Sequence, residues 1–284
     1  MGFSLQGMYK VICSDIDGTL LDVNRYISHE TRRVFDRLSR ETLVVLASSR
    51  MPSAMHYLQH ALGFPVGPLV AYNGALVLDS KGEVINSQTI SGHVLQSLLE
   101  EGYESRCNLS LYSLDSWFTA NEDEWTLREI HNTRVQPILK SYVDSLDIVA
   151  EHGVHKLMCM GEESVIDQIS SLLEEESAQL NLYRSKPTYL EVISSASDKA
   201  QGLRQLFQCR YQEFQANDVA AFGDNYNDIE LLSYAGWGVA VRNAREEVKA
   251  VANRISAGHK EHGVAVELER LIAEGKLMIH SSSS

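Results

Sequence analysis

Four short apolar runs dictate most of what this chain can become. "KVICS" at 10–14, "LVVLA" at 43–47, "VAAFG" at 219–223 and "GVAV" at 238–241 are too short and too evenly apolar for amphipathic helices. Runs of that kind read as strands buried on both faces, the condition of a parallel sheet covered by helices. Helical spacing lies between them: His29–Ser39 sets Val34, Phe35 and Leu38 on one face, and a helix opened by Pro52 carries Met55, Leu58 and Leu62 before Gly63. That alternation is the βαβ pattern. "PLVAYNGALVLDSKGEVI" at 68–85 then reads strand, Asn-Gly turn, strand, Gly turn, strand.

The pattern changes near Val84. Helices are expected at 92–101, 122–131 and 163–175, and strands near 108–112, 117–120, 155–160, 180–184 and 189–193, an α+β unit with its own potential core. After Ser195 the earlier alternation resumes, with helices at 199–207, 228–234 and 244–251 around the last two apolar runs. The simplest architecture is α/β: a Rossmann-like parallel-sheet core domain made of residues 1–83 and 196–284, interrupted by an α+β domain over 84–195.

Composition narrows the function classes. A chain of 284 residues with 44% hydrophobic content buries a substantial core, and no apolar stretch approaches the roughly 20 residues that span a bilayer. The start lacks the form of a secretory signal, so the expected location is cytoplasmic, with no membrane partner; Met1–Gly7 and Ser281–Ser284 carry no pattern that asks to be folded. A net charge of −13 argues against nucleic acid as a partner, because the phosphate backbone would be repelled over most of the surface. A small anionic substrate remains open where a local cation offsets the field, which salt screens over about 8 Å. Cys13, Cys107, Cys159 and Cys209 are scattered and read as free thiols.

In an open parallel sheet, ligands gather outside the carboxyl ends of the strands. Asp15 and Asp17 follow the first run, Ser48, Ser49 and Arg50 the second, and Asp224, Asn225, Asn227 and Asp228 the third, while Lys199 opens the helix after the insertion. Carboxylates, hydroxyls and one ammonium at a sheet edge fill a core badly, but they suit a divalent metal and a phosphate.

"DIDGT" at 15–19, "ASSR" at 47–50, "DKAQGL" at 198–203 and "GDNYNDIELL" at 223–232 resemble the four motifs of the haloacid-dehalogenase-like (HAD) superfamily of phosphohydrolases. Their order, the insertion between the second and third, and the stretches "AYNGAL" at 71–76 and "GVAVRNA" at 238–244 resemble the Cof-type branch, subclass IIB, whose members carry an α+β (C2B-type) cap. The resemblance implies a Mg²⁺-dependent phosphatase of small phosphorylated metabolites: sugar phosphates first, then pyridoxal phosphate or flavin mononucleotide. It makes Asp15 the nucleophile and Asp17 the general acid and base. It assigns the metal to the Asp15 side chain, the Asp17 carbonyl and Asp224, with Asp228 nearby, and the phosphoryl oxygens to the Ile16 amide, the Ser48 hydroxyl, the Ser49 amide, Lys199 and the Asn227 amide. Two carboxylates one residue apart tend not to share full charge, and an upward pKa shift of one would keep an acid protonated near neutrality. Gly18 permits the tight turn, which the Thr19 hydroxyl is expected to tie.

Plainer readings stand beside these. "SDIDGT" alone could be an Asp-rich turn, "GDNYND" a helix cap, Lys199 a solvated lysine, and Glu174–Glu176 a solvated helix end. His56, His60, His152 and His155 read as surface helix positions with no third ligand for a metal. Trp117, Trp125, Tyr112, Tyr183 and Tyr189 read as core of the inserted domain. Relative to the branch, serine stands at 49 for the usual glycine and His262 for a common aspartate; neither His262 nor Arg50 is given a role. A phosphosugar mutase retaining Asp15 and Asp17, and a non-catalytic phosphometabolite-binding protein, are the alternatives. Either a monomer or a homodimer is compatible with the sequence.

Overall fold

The computed structural model describes residues 7–174 and 178–280. The expectations for Met1–Gln6, for Ser281–Ser284 and for Glu175 and Glu176 lie outside the described residues. The chain divides into two compact units, one comprising residues up to Ser48, Met55–Ile85 and the chain from Asp198 onward, the other Ser49–Ala54 and Asn86–Ser197.

The first unit holds strands β1 (Val11–Ser14), β2 (Leu43–Ala47), β3 (Leu69–Ala71) and β4 (Leu76–Leu78), the first half of β5 (Val84–Ser87), helix α1 (His29–Arg37) and all but the first two residues of α2 (Ser53–Leu62). The second unit contributes α3 (Gly92–Glu100), β6 (Asn108–Ser113), β7 (Ser116–Thr119), α4 (Glu124–Thr133), β8 (Ile138–Leu139), α5 (Tyr142–His152), β9 (Lys156–Met160), α6 (Glu163–Glu174), β10 (Leu180–Lys186) and β11 (Tyr189–Ser194). The first unit resumes with α7 (Lys199–Cys209), β12 (Val219–Gly223), α8 (Ile229–Tyr234), β13 (Trp237–Ala240), α9 (Glu246–Val251), β14 (Arg254–Ile255) and α10 (Gly263–Ala273).

Among the described residues the larger sheet has the order β14-β13-β12-β1-β2-β3-β4-β5. Val11 pairs in parallel with both Leu43 and Val219, so β1 lies at the centre, and all four of its residues are buried. Burying a Val or Ile side chain there contributes about 1.5–3 kcal/mol, which explains the unbroken apolar pattern of a strand covered on both sides. Because β1, β2, β12 and β13 run parallel with Ser14 beside Leu46 and Phe222, and Gly223 beside Ala240, the polar segments after them emerge at one edge. The β3–β4 pair is antiparallel, as the Asn-Gly turn requires.

The second sheet has the order β10-β11-β9-β6-β7-β8. Alternate strand residues, Leu109 and Leu111, Leu157 and Cys159, Leu190 and Val192, pack with Val94, Leu98, Val149, Ile166 and Ile169 of α3, α5 and α6 into one core, so the helices cover one face. Trp117 and Tyr112 are buried and stacked, with ring centroids 5.8 Å apart.

Three sequence expectations need correction. The helix expected at 122–131 begins two residues later, because Asp123 is its N-cap and accepts the Thr126 amide. The sequence pattern does not announce α5 or α10, whose apolar positions are diluted by charged neighbours. His155 is not a surface helix residue: it lies fully buried just before β9. Its Nδ1 accepts the Leu114 N–H at 3.1 Å, and its Nε2 is 2.9 Å from the Ser87 hydroxyl. Burial pushes its pKa down to about 4, so the ring is neutral.

Candidate active site

Asp15 stands one residue beyond β1, its amide donating to the Phe222 carbonyl at 2.9 Å and so prolonging the β1–β12 ladder. Lys199 opens α7, whose N-cap Asp198 accepts the Gln201 amide at 2.8 Å. Gly202 lets this helix lie close to β3 and β4; a Cβ there would come within 2.6 Å of Val70. That approach delivers the Lys199 ammonium, wholly removed from solvent, to Asp15 Oδ1 at 2.7 Å and Asp228 Oδ1 at 2.6 Å. The other Asp228 oxygen accepts the Asp224 and Asn225 amides at 2.9 and 3.1 Å, turning the chain after β12. Asp228 is therefore the keystone of that loop as well as a member of the charge cluster. The reading of Lys199 as a solvated lysine does not survive this geometry.

Asp15, Asp224 and Asp228 each offer a carboxylate oxygen, and among the described residues these oxygens lie within 4.8 Å of one another. One ammonium cannot neutralise three carboxylates, and two of them, Asp15 and Asp224, hold their protons more tightly than usual. Burial, reinforced by Asp228, pushes the Asp224 carboxyl up from 3.8 to about 7. Burial likewise holds Asp15 well above its usual range, with Asp228 and Asp224 adding to the effect against Lys199. Lys199 stays charged: burial opposes its charge, but Asp15 and Asp228 outweigh that opposition and raise its pKa. The carboxyls that crowd Asp15 come from the loop after β12, not from the residue two positions along its own chain.

Asp17 is half-buried and pairs with the Arg25 guanidinium at 2.8 Å. An ion pair this exposed contributes only ~0–1 kcal/mol and yields readily to a ligand. Gly18 has φ +82°, and a Cβ there would sit 2.5 Å from Asp224 Oδ2, so only glycine lets this turn press against the cluster. Thr19 does not tie its own turn: its hydroxyl donates to Asp224 Oδ1 at 3.3 Å, linking the loop after β1 to the loop after β12. Ile16 is buried, and among the described residues its amide has no hydrogen-bond acceptor, which leaves a donor at the rim of the cluster.

Ser48 is buried at the end of β2, its amide donating to Val70 and its carbonyl accepting the Asn73 amide, each at 2.9 Å. Ser49 groups with the second unit, where its carbonyl accepts the Lys156 ammonium at 3.0 Å. Arg50 is buried and bonds the Ala54 carbonyl at 3.3 Å. The Asn227 side chain donates to Asn73 Oδ1 at 2.8 Å. Asn73, buried in a left-handed conformation, thus joins the loop after β2 to the loop after β12. Asn243 does similar work, donating to the Gly18 carbonyl at 2.8 Å. Asn73, Asn243 and Arg25 were not singled out by the sequence reading; the "AYNGAL" and "GVAVRNA" stretches were the available signal for the first two.

The sequence profile of haloacid dehalogenase-like hydrolases matches residues 12–268. The chain belongs to the haloacid dehalogenase-like hydrolase family. This hydrolase is 33% identical over 276 residues to a Haemophilus influenzae relative, covering 94% of this chain and 100% of that one. It is 30% identical over 267 residues, covering 90% and 94%, to the Bacillus subtilis 5-amino-6-(5-phospho-D-ribitylamino)uracil phosphatase YitU. Its fold is similar to the solved haloacid dehalogenase-like hydrolase of Bacteroides thetaiotaomicron, with a TM-score of 0.83, 26% identity, and coverage of 93% and 99%. The enzyme class of this hydrolase is phosphoric monoester hydrolase. Among its described residues no helix is long and apolar enough to cross a membrane.

Proposed function

We propose that this hydrolase removes phosphate from small phosphomonoesters, sugar phosphates foremost, through a phosphorylated Asp15. The observation that carries the reading is the convergence of Asp15, Lys199, Asp224 and Asp228 on one point at the carboxyl edge of the first sheet. A donor set made only of carboxylate oxygens, with negative charge in excess of its ammonium, fits a small hard divalent cation such as Mg²⁺. Asp15 and Asp224, with the Asp17 carbonyl, would hold it, and Asp228 would remain the partner of Lys199. Bound there, Mg²⁺ supplies charge neutralisation and Lewis acidity toward a phosphoryl oxygen.

The protein's own residues account for the remaining chemistry. An Asp15 oxygen forms a bond to phosphorus as the ester P–O bond breaks, and Asp17 gives its proton to the departing alkoxide. Water then forms a bond to phosphorus as the Asp15–phosphorus bond breaks, and Asp17 takes the proton that water loses. Lys199, the Ile16 amide and the Ser48 hydroxyl, with the amides of Ser49 and Asn227, stabilise the phosphoryl oxygens as charge builds on them. Arg25 favours the Asp17 carboxylate, so for Asp17 to act as the acid this exposed pair must open and the carboxyl take up a proton as the substrate arrives. Support for a polyhydroxylated substrate comes from the YitU relative, whose name places the phosphate on a ribityl chain. Residues 84–195, the proposed cap, would choose among substrates.

The test is product analysis with a panel of phosphorylated metabolites and Mg²⁺. Release of inorganic phosphate without an isomeric sugar phosphate is expected, and Asp15→Asn lowers turnover at least a thousandfold while circular dichroism is unchanged. Isomer formation would replace hydrolysis by mutase chemistry, and an active Asp15→Asn enzyme would remove the nucleophile.

A further inference from the structure

A second charged cavity lies in the first unit, between the edge strand β14 and helix α10, with a volume of about 410 Å³. Three guanidinium groups line it, Arg242, Arg254 and Arg270, with one carboxylate, Glu267; Arg270 also pairs with Glu274, so Arg242 and Arg254 carry the available positive charge. The carboxylate is not solvent-facing counter-charge. Glu267 is 1% exposed and is held by Trp237 Nε1 at 2.9 Å, Arg254 Nε at 2.9 Å and Arg270 Nη2 at 2.6 Å.

The geometry of these bonds matters. Glu267 engages Arg254 through Nε, which fixes the plane of that guanidinium; among the described residues its two terminal nitrogens have no hydrogen-bond partner. Arg242 is exposed, and among the described residues its side chain has neither a hydrogen bond nor an ion pair. A buried carboxylate thus acts as a template, orienting one guanidinium fork toward the cavity while a second fork stands unengaged at its wall. Forks of this kind match the paired oxygens of a carboxylate or a phosphoryl group, and two of them on one cavity favour the more highly charged phosphoryl group. The lining also includes apolar side chains, Ile255 and Val266, each about half exposed. Large aliphatic side chains left uncovered beside oriented cations fit a ligand with an organic body as well as phosphoryl charge. The volume falls in the range of about 300–1,000 Å³ usual for small-molecule sites.

We propose that this cavity binds an organic phosphate of nucleotide size, outside the reaction centre. The loop that carries Arg242 also braces that centre: Asn243 donates to the Gly18 carbonyl, and the Arg245 amide donates to the Asp224 carbonyl at 3.0 Å. The proposal does not depend on the phosphatase reading.

The test uses the full-length chain with Asp15→Asn to prevent turnover, titrated with ADP by isothermal calorimetry, with and without Arg242→Glu. Charge reversal at one phosphate contact should weaken ADP binding about tenfold or more. In the otherwise wild-type chain, Arg242→Glu should leave kcat and KM for p-nitrophenyl phosphate unchanged, because its side chain touches no part of the reaction centre. ADP binding of equal strength in both proteins, or no binding at millimolar ADP, overturns the proposal. An Arg242→Glu chain that loses p-nitrophenyl phosphate turnover overturns it too, since Arg242 would then belong to the reaction centre.

Discussion

Replacing Asp224 by asparagine should make the metal-free protein more stable and less active, and the structure sets the size of the first effect. The Asp224 carboxyl is pushed from 3.8 to about 7, chiefly by burial and then by the neighbouring Asp228. A folded-state pKa above the unfolded one means that the native protein binds this proton more tightly. The associated stability is fully present below about pH 3.8 and is lost as pH rises to about 7. A change of about three pH units at ~1.4 kcal/mol each gives roughly 4 kcal/mol of lost stability at pH 8. An asparagine has nothing to ionise and still offers Oδ1 to the Thr19 hydroxyl, so it escapes that loss.

Urea denaturation in EDTA measures the difference. Asp224→Asn should exceed the wild type by about 4 kcal/mol at pH 8, by about 2 at pH 5, and by less than about 1 at pH 4. Added Mg²⁺ should then stabilise the wild type by mass action and the variant far less, while the variant's turnover of p-nitrophenyl phosphate collapses. An Asp224→Asn protein no more stable than wild type at pH 8, or an advantage that ignores pH, refutes the claim that the site stores uncompensated negative charge.

Lys199→Ala removes the counter-charge instead and should destabilise the metal-free protein by about 3–5 kcal/mol, read as a melting point roughly 6–20 °C lower; an unchanged melting point with wild-type KM would break the link between Lys199, Asp15 and Asp228. His155 ties Leu114 and Ser87 inside the second unit as a neutral ring with its pKa near 4, a depressed value whose stability is present above pH 6.5 and lost as pH falls toward 4. His155→Phe should therefore reduce stability at pH 7.5 by about 1–3 kcal/mol and flatten the acid limb of the wild-type curve by about 3 kcal/mol; an acid limb of equal depth in the variant would move that proton uptake elsewhere.

What the sequence makes legible here is what burial makes unambiguous. β1, β2, β12 and β13 are covered on both faces, so their composition alone marks them, and the chemistry follows at their carboxyl ends. Lys199 and Asp228 could be named but not weighed, because a lysine followed by a helix, or an aspartate preceding one, is ordinary at the surface; only the fold, through Gly202 and the capping bonds of Asp228, turns them inward. Helix α10 escaped notice because Glu267 and Arg270 interrupt its apolar face, and they do so for a reason visible only in three dimensions. His155 was misplaced for a related cause. A histidine just past a helix that ends in Glu151 and His152 reads as solvent-exposed until the hairpin of β6 and β7 supplies the Leu114 amide that it accepts.

The polar groups that resist sequence reading are therefore those whose partners lie far along the chain, and in this enzyme they join loops at the carboxyl edge of the first sheet to one another. Asn73 reaches Asn227 across 154 positions, Thr19 reaches Asp224 across 205, and Asn243 reaches Gly18 across 225. The Thr19–Asp224 bond links the two loops that carry the clustered carboxylates, and the other two brace those loops against their neighbours; burial and then mutual repulsion raise Asp15 and Asp224. If the site takes up a divalent cation as proposed, it must hold its acids together before the cation comes, and no local motif can do that. The neutral amide and hydroxyl bridges do it without adding charge, so they keep the loops in register and leave the negative surplus intact.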